Sequence, residues 1–353
     1  MNSRHRLVFA DSRDLSWLPD NSIDLVVTSP PYPMIEMWDE LFKGLNPAIA
    51  GSLEAGEGLA SFEAMHAELD TVWKELYRVV KRGGMLCINA GDATRNLDGS
   101  FQLYANHARI LSACMQLGFQ VLPEILWRKQ TNAPNKFVGS GTLPPSAYVT
   151  LEHEWILVLR KGERRNFKGE TARRNRLESA FFWEERNLWF SDVWDFKGTR
   201  QKLAQDCGRQ RSAAFPLELA YRLLNMFSVK GDLILDPFAG AGTTTLAAMC
   251  AGRSSLGVEI DQTLVPFVQA SMSRVVSASN RRILERLEAH RAFIEEYRRS
   301  GREPKYRSRH YGFPVVSAQE REILLNYLSS LQRISELEWK IEYCPEAGLV
   351  LNC

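Results

Sequence analysis

Short apolar runs alternate with stretches of helical spacing along most of this sequence, and that order leaves few ways to fold. LVFA (7–10) and IDLVVTS (23–29) are rich in β-branched residues and read as strands buried on both faces. FEAMHAELDTVWKELYRVVK (62–81) carries apolar residues at helical spacing and stops at Gly83-Gly84, after which MLCINAGD (85–92) reads as the next strand. HARILSACMQLGF (107–119) predicts a helix, and QVLPEILWRK and EWILVLRKG (154–162) predict extended segments. After an irregular stretch the alternation resumes: a helix at 216–228, a strand at 232–238, a helix at 243–252 and a strand at 254–261. Strands separated by helices pair in parallel, so the expected fold is α/β, a mostly parallel sheet with helices on both faces. Past 262 the chain reads as helical and strongly charged, with a loop at 301–314 and a last helix at 318–336.

Composition narrows the class. A chain of 353 residues accommodates one large domain with additions, or two domains. No apolar run is long enough for a membrane-spanning helix, and MNSRHRLVFADSRD lacks the apolar stretch of a signal peptide. The six cysteines are scattered without a CxxC, so neither a structural metal nor a disulfide framework is expected, and an intracellular, cytoplasmic setting fits best. Lys and Arg number 44 against 42 Asp and Glu, a net charge of +2 that hides how the charges are distributed.

Two motifs sit where strands end. The first is Asp236-Pro237-Phe238-Ala239-Gly240-Ala241-Gly242-Thr243-Thr244, between an apolar strand and a helix. Glycines there let backbone approach a ligand, and the helix start exposes unpaired N–H groups. Thr245 stands where a dinucleotide-binding turn has its third glycine, and the GK[ST] of a phosphate loop is missing. What remains suits a ligand with a carboxylate end and a neutral nucleoside end. Glu259, closing the next strand, is placed to hold two ribose hydroxyls.

The second motif is Thr28-Ser29-Pro30-Pro31-Tyr32, also at a strand's carboxyl end, where open α/β sheets bind ligands. Consecutive prolines remove two N–H donors and leave carbonyls free to accept. An exocyclic amine needs such acceptors, because its lone pair is delocalised into the base ring. Hydrogen bonds to the Ser29 hydroxyl and the Pro30 carbonyl would favour a pyramidal nitrogen, and Tyr32 offers a ring on which a base stacks.

TSPPY followed much later by DPFAGAGTT resembles the S-adenosyl-L-methionine (SAM)-dependent DNA amino-methyltransferases, in the motif order of their permuted β group. ADSRDLSWLPDNSIDLVVTSPPY, VVKRGGMLCINAGD, ILWRKQTNAPNKF, EHEWILVLRKG and AAFPLELAYRLL also fit, so the likeness spans roughly 5–270. It implies a Rossmann-like methyltransferase fold with SAM as cofactor. It further implies Asp11 near the adenine, the loop residues Asp236, Pro237, Phe238, Gly240, Gly242 and Thr243 around the methionine moiety, Glu259 on the ribose, and Thr28 as a further cofactor-binding residue. Ser29 in SPPY is similar to the cytosine-N4 enzymes, with adenine N6 the alternative and a non-catalytic DNA-binding relative a further one. Cytosine C5 chemistry needs a cysteine nucleophile, and no cysteine follows a proline here.

The remaining segments are read as substrate handling. A base inside a duplex must flip out to be reached, and something must grip the backbone meanwhile. Residues 160–211 carry fourteen Lys/Arg and eight Asp/Glu, with Arg164, Arg165, Lys168, Arg173, Arg174 and Arg176 ahead of a run of aromatics, and 281–309 carry ten against five. The first stretch is expected to contact duplex DNA. The Gly/Ala/Ser-rich 43–61 reads as a plain loop or a lid, and Met34, Glu36, Trp38 and Asp39 as candidates to line the base pocket. The expected organisation is a catalytic half at 1–162, a target-recognition segment at 163–212, a SAM-binding half at 213–273 and a helical C-terminal extension at 274–353. A homodimer and a cognate restriction endonuclease are the protein partners the resemblance leaves open.

Overall fold

The structure is a computed structural model that describes residues 1–129, 139–198 and 215–345. In chain order, β1 (Asn2–Phe9) and β2 (Ile23–Thr28) precede the helices α1 (Asp39–Leu45), α2 (Ala48–Glu54) and α3 (Gly58–Val79). β3 (Val80–Ala90), a hairpin of β4 (Ala93–Leu97) and β5 (Ser100–Tyr104), α4 (Asn106–Gln116), β6 (Phe119–Val121), β7 (Ile125–Arg128) and β8 (His153–Lys161) come next. Then follow α5 (Glu170–Glu178), α6 (Trp183–Trp189), β9 (Val193–Asp195), α7 (Leu217–Phe227), β10 (Leu233–Asp236), α8 (Thr243–Ala251), β11 (Ser254–Glu259), α9 (Val265–Met272) and α10 (Val275–Arg299). The last described elements are β12 (Tyr306–Arg307) paired with β13 (Pro314–Val315), and the hairpin β14 (Tyr327–Ser335) and β15 (Glu338–Cys344).

Eleven strands form one sheet in the order β14-β15-β1-β11-β10-β2-β3-β8-β7-β9, with β6 also on β8. Its centre, β1 through β3, is parallel, as the alternation predicts. β8 runs antiparallel to β3 and β7 antiparallel to β8. Side-chain alternation from Leu25 to Val27, with a register shift between Ile23 and Leu25, divides the core into two layers. Leu25 and Val27 of β2 face a cluster containing Leu219, Leu223, Ala247 and Ala248 of α7 and α8; Ile23 and Val26 face one containing Leu69, Val72, Trp73 and Leu76 of α3.

The connectivity fixes the site. From β10 the chain crosses through α8 to β11 on one side, while from β2 it crosses through α3 to β3 on the other. β10 and β2 are hydrogen-bonded neighbours, so a crevice opens between the diverging connections at their carboxyl ends.

Two expectations change. The helix expected at 318–336 is a single 3-10 turn followed by β14, which pairs with β15 to extend the sheet beyond β1. Leu324, Leu325, Leu328 and Leu331 have helical spacing, but the open edge of β1 offers backbone partners that outweigh it. The charged helix before it is present as α10, whose inner face buries Ile283, Leu287, His290 and Ile294. Residues 43–61 are largely helical, in α1, α2 and the start of α3, with Phe42 and Ile49 fully buried. Within 163–212 lie α5, α6 and β9, while positions 199–212 fall outside the described residues.

Candidate active site

The two motifs meet in that crevice. TSPPY leaves the carboxyl end of β2 and DPFAGAGTT leaves β10 beside it; the Thr28 hydroxyl donates to Asp236 Oδ1 at 2.7 Å, and Thr244 Oγ1 to the Val27 carbonyl at 3.2 Å. Residues 208 positions apart in sequence are thus joined at the switch point.

Asp236 is fully enclosed, and burial raises its carboxyl to about 6, against the lowering effect of Thr28, Thr244 and the Phe238 N–H. A buried carboxyl poised this way favours a cationic neighbour. The loop turns through positive φ at Gly240 (51°) and Gly242 (82°), and a Cβ at Gly240 would meet nothing closer than 4.0 Å, so bare backbone faces open space there. Glu259, at the end of β11, accepts from the N–H groups of Gly240 at 2.8 Å, Ile260 at 3.0 Å and Asp261 at 2.9 Å. β1 ends beside it, where the Ala10 N–H donates to the Glu259 carbonyl at 3.0 Å. Asp11, next along, is held by Arg13 at 2.7 Å; burial alone would raise its carboxyl, but the Arg13 hydrogen bonds outweigh burial and lower it. Ser12 donates to the Pro237 carbonyl and closes the rim. A row of carboxylates beside an open glycine turn fits a ligand with hydroxyls and positive charge, as SAM has.

On the other side of the crevice the Ser29 hydroxyl lies 2.7 Å from the Tyr32 hydroxyl. Tyr32 is buried at 6% exposure, and a Cβ on Gly91 would come within 2.6 Å of its ring. Its hydroxyl also meets Asn89 Nδ2 at 2.9 Å, and the Asn89 carbonyl and Glu154 Oε2 at 3.3 Å. Asn89 Nδ2 donates to Glu154 Oε2 at 2.6 Å, and Lys129 pairs with Glu154 Oε1. Burial, and then the Glu154 charge, push the Tyr32 phenol well above its ordinary value, so it remains a hydroxyl. Asn106 clips the segment in place, donating to the carbonyls of Pro33 at 3.1 Å and Gly91 at 2.9 Å. Asn89, Glu154 and Lys129 lie in stretches that resemble the family but that assign them no role; they converge because β8 pairs with β3 in the register Ala90↔Trp155 and with β7 in the register Trp127↔Glu154.

Of the proposed pocket residues, Met34 is buried at φ 67° and Asp39 is held by Arg95 through contacts of 2.8 and 2.7 Å, tying α1 to β4. The six basic residues read as DNA contacts stand elsewhere. Arg165 pairs with Asp232 at 2.7 Å and Asp24 at 3.4 Å, at the amino ends of β10 and β2. Arg164, Arg173 and Arg176 line a cleft of about 960 Å³ on that same rim, Lys168 lines a second cleft together with Asp232, and Arg174 pairs with Glu178. From Asp24 to Ser29 is the length of β2, roughly 16 Å at about 3.3 Å per residue. These side chains are therefore not brought to the crevice. The chain instead leaves β7 and re-enters β8 on the catalytic rim, on either side of 129–152.

Known proteins resemble this chain in sequence and fold. The family model described as DNA methylase, N6_N4_Mtase, matches residues 23–270. The chain is 49% identical to the type II methyltransferase M.MthZI of Methanothermobacter thermautotrophicus over 97% of its length and 96% of that protein's. It is 46% identical to the type II methyltransferase M.MjaI of Methanocaldococcus jannaschii, over 76% of this chain and 91% of that one. Among solved structures, TTHA0409 of Thermus thermophilus, a putative DNA modification methylase complexed with S-adenosyl-L-methionine, aligns with a TM-score of 0.59 and 34% identity over 77% of this chain and 96% of its own. With both motifs joined at the switch point and these matches across its length, the chain belongs to the N6/N4 DNA methylases, a family of SAM-dependent DNA methyltransferases.

Proposed function

We propose that the methyl acceptor is the exocyclic N4 amine of cytosine, flipped out of duplex DNA at a short specific site. The observation that carries this reading is Ser29, a hydroxyl rather than a carboxylate or carboxamide, at the mouth of the crevice beside Tyr32. SAM supplies an electrophilic methyl group on a sulfonium. Thr28, the loop Asp236, Pro237, Phe238, Gly240, Gly242 and Thr243, together with Asp11 and Glu259, hold it. The Ser29 hydroxyl and the Pro30 carbonyl accept the two amine N–H groups, Pro31 keeps the turn rigid, and Tyr32 flanks the base. Flipping costs a few kcal/mol, of which stacking on an aromatic ring returns about 1–3 kcal/mol. The duplex approaches the catalytic rim, where Lys129 and 139–152 lie, in addition to any contact from 163–212. The type II names of the relatives favour a modification role beside an endonuclease of the same site.

Incubating the protein with labelled SAM and mixed-sequence duplex, then digesting to nucleosides, tests the reading. Label in N4-methylcytosine is expected; label in N6-methyladenine would replace the proposed base, and label only in 5-methylcytosine would remove the amine chemistry altogether.

A further inference from the structure

The geometry points to Glu154 as a positioning residue that acts through Tyr32 to hold the Ser29 hydroxyl with its lone pairs toward the substrate amine. This rests on the proposed role of Ser29 as an amine acceptor. A hydroxyl is both donor and acceptor, and an amine acceptor is useful only if the rotor carrying its proton points elsewhere.

The polarity of the chain of contacts follows from the one side chain in it that acts only as an acceptor, Glu154. The Glu154 carboxylate, 6% exposed, meets a donor at each oxygen, Lys129 at Oε1 and Asn89 Nδ2 at Oε2, and acts as an acceptor. Asn89 must therefore turn its NH2 toward it, as the 2.6 Å contact requires; the flipped amide would set oxygen against oxygen. The same NH2 donates to the Tyr32 hydroxyl at 2.9 Å and occupies one of its lone pairs. The Tyr32 proton has two acceptors at 3.3 Å besides Ser29, Glu154 Oε2 and the Asn89 carbonyl. Were that proton turned to Ser29, the Tyr32 oxygen would face a carboxylate with lone pair against lone pair in a dry site. With the Tyr32 proton committed, the 2.7 Å contact between Tyr32 and Ser29 is made by the Ser29 proton. Both lone pairs of Ser29 are then left to accept. Lys129 pairs with Glu154 Oε1, so the second carboxylate oxygen is occupied by a donor and Oε2 is left to Asn89 and Tyr32.

A double-mutant cycle separates this role from a merely structural one. Glu154→Leu removes the acceptor and should lower single-turnover kcat about tenfold or more, with KM for SAM little changed. Glu154→Gln, whose amide oxygen can still take the Tyr32 proton, should recover most of that loss. In a Ser29→Ala background the leucine substitution should cost less than about threefold, because no rotor remains to be set. An equal loss in both backgrounds, or no loss in either, would overturn the role of Glu154. Should Glu154→Leu fail to bind SAM, Tyr32→Phe severs the same link at its middle, and its loss must likewise shrink beside Ser29→Ala. Ser29→Ala alone retaining full activity would defeat the reading of Ser29 itself, a separate result.

Discussion

Asp236 sets the expected pH response of the site. Its carboxyl is raised from 3.8 to about 6 by burial, so between those values the folded protein holds a proton that the unfolded chain has lost. Its contribution to stability therefore falls as pH rises through that window. Binding of a cationic ligand should run the other way, because the ionised form is the better partner. SAM affinity measured by calorimetry should tighten as pH rises from 5 to 7 with a midpoint near 6, and Asp236→Asn should flatten the profile. Gly91 is a second sensitive point, since a methyl there would press on the Tyr32 ring at 2.6 Å. Gly91→Ala should lower transfer strongly while costing about 1–3 kcal/mol of stability, as overpacking does. Ser29, Tyr32 and Asp236 were legible in the sequence as candidates because each belongs to a short contiguous motif whose residue types suggest its chemistry, and Glu259 because it closes the strand that follows the second motif. Asn89, Glu154 and Lys129 were not, since only the pairing of β8 with β3 and β7 brings them to Tyr32.

The parallel strands and their crossover helices follow directly from the sequence periodicity, and β2, β10, α8 and β11 fall within a few residues of their expected bounds. The C-terminal hairpin was hidden because its leucines mimic helical spacing and its strand pairing depends on β1, more than three hundred residues away. Trp339, 3% exposed, anchors that hairpin with Ile341 and Tyr343 in the core shared with α8. Trp339→Ala should cost about 3–5 kcal/mol, read as a lower denaturant midpoint. α10 docks through His290, whose two ring nitrogens face acceptors, Glu184 at 3.0 Å and the Pro314 carbonyl at 3.0 Å, a pairing that the protonated ring completes. Burial opposes that charge, but Glu184 outweighs burial and lifts the imidazole above 6.5. The stabilisation is then fully present below 6.5 and is lost as pH rises through the lifted value. The melting-temperature gap between the wild type and His290→Gln should accordingly be wide at pH 6 and narrow at pH 9.

Across the molecule, a net charge of +2 conceals a division between rims. The amino-end rim carries Arg164, Arg173 and Arg176 around the cleft, with Arg165 bridging the buried Asp24 and Asp232. Charge density alone pointed to these arginines as DNA contacts; the side of the sheet to which they belong depends on where α5 docks, which no local pattern states. Arg165→Ala should therefore cost about 1–3 kcal/mol of stability, less than a fully buried pair because Arg165 is partly exposed, with DNA affinity changed less than about twofold. In the proposed function the carboxyl-end rim divides its labour between the β10–β11 side, which would hold SAM, and the β2–β3 side, which would present the amine acceptors. Ser29→Ala probes that division most directly, through SAM affinity and single-turnover transfer to duplex DNA at saturating SAM. SAM affinity within about twofold of the wild type and transfer slowed about a hundredfold, roughly 2.7 kcal/mol at 1.36 kcal/mol per tenfold, is the expected result; transfer at the wild-type rate would contradict it.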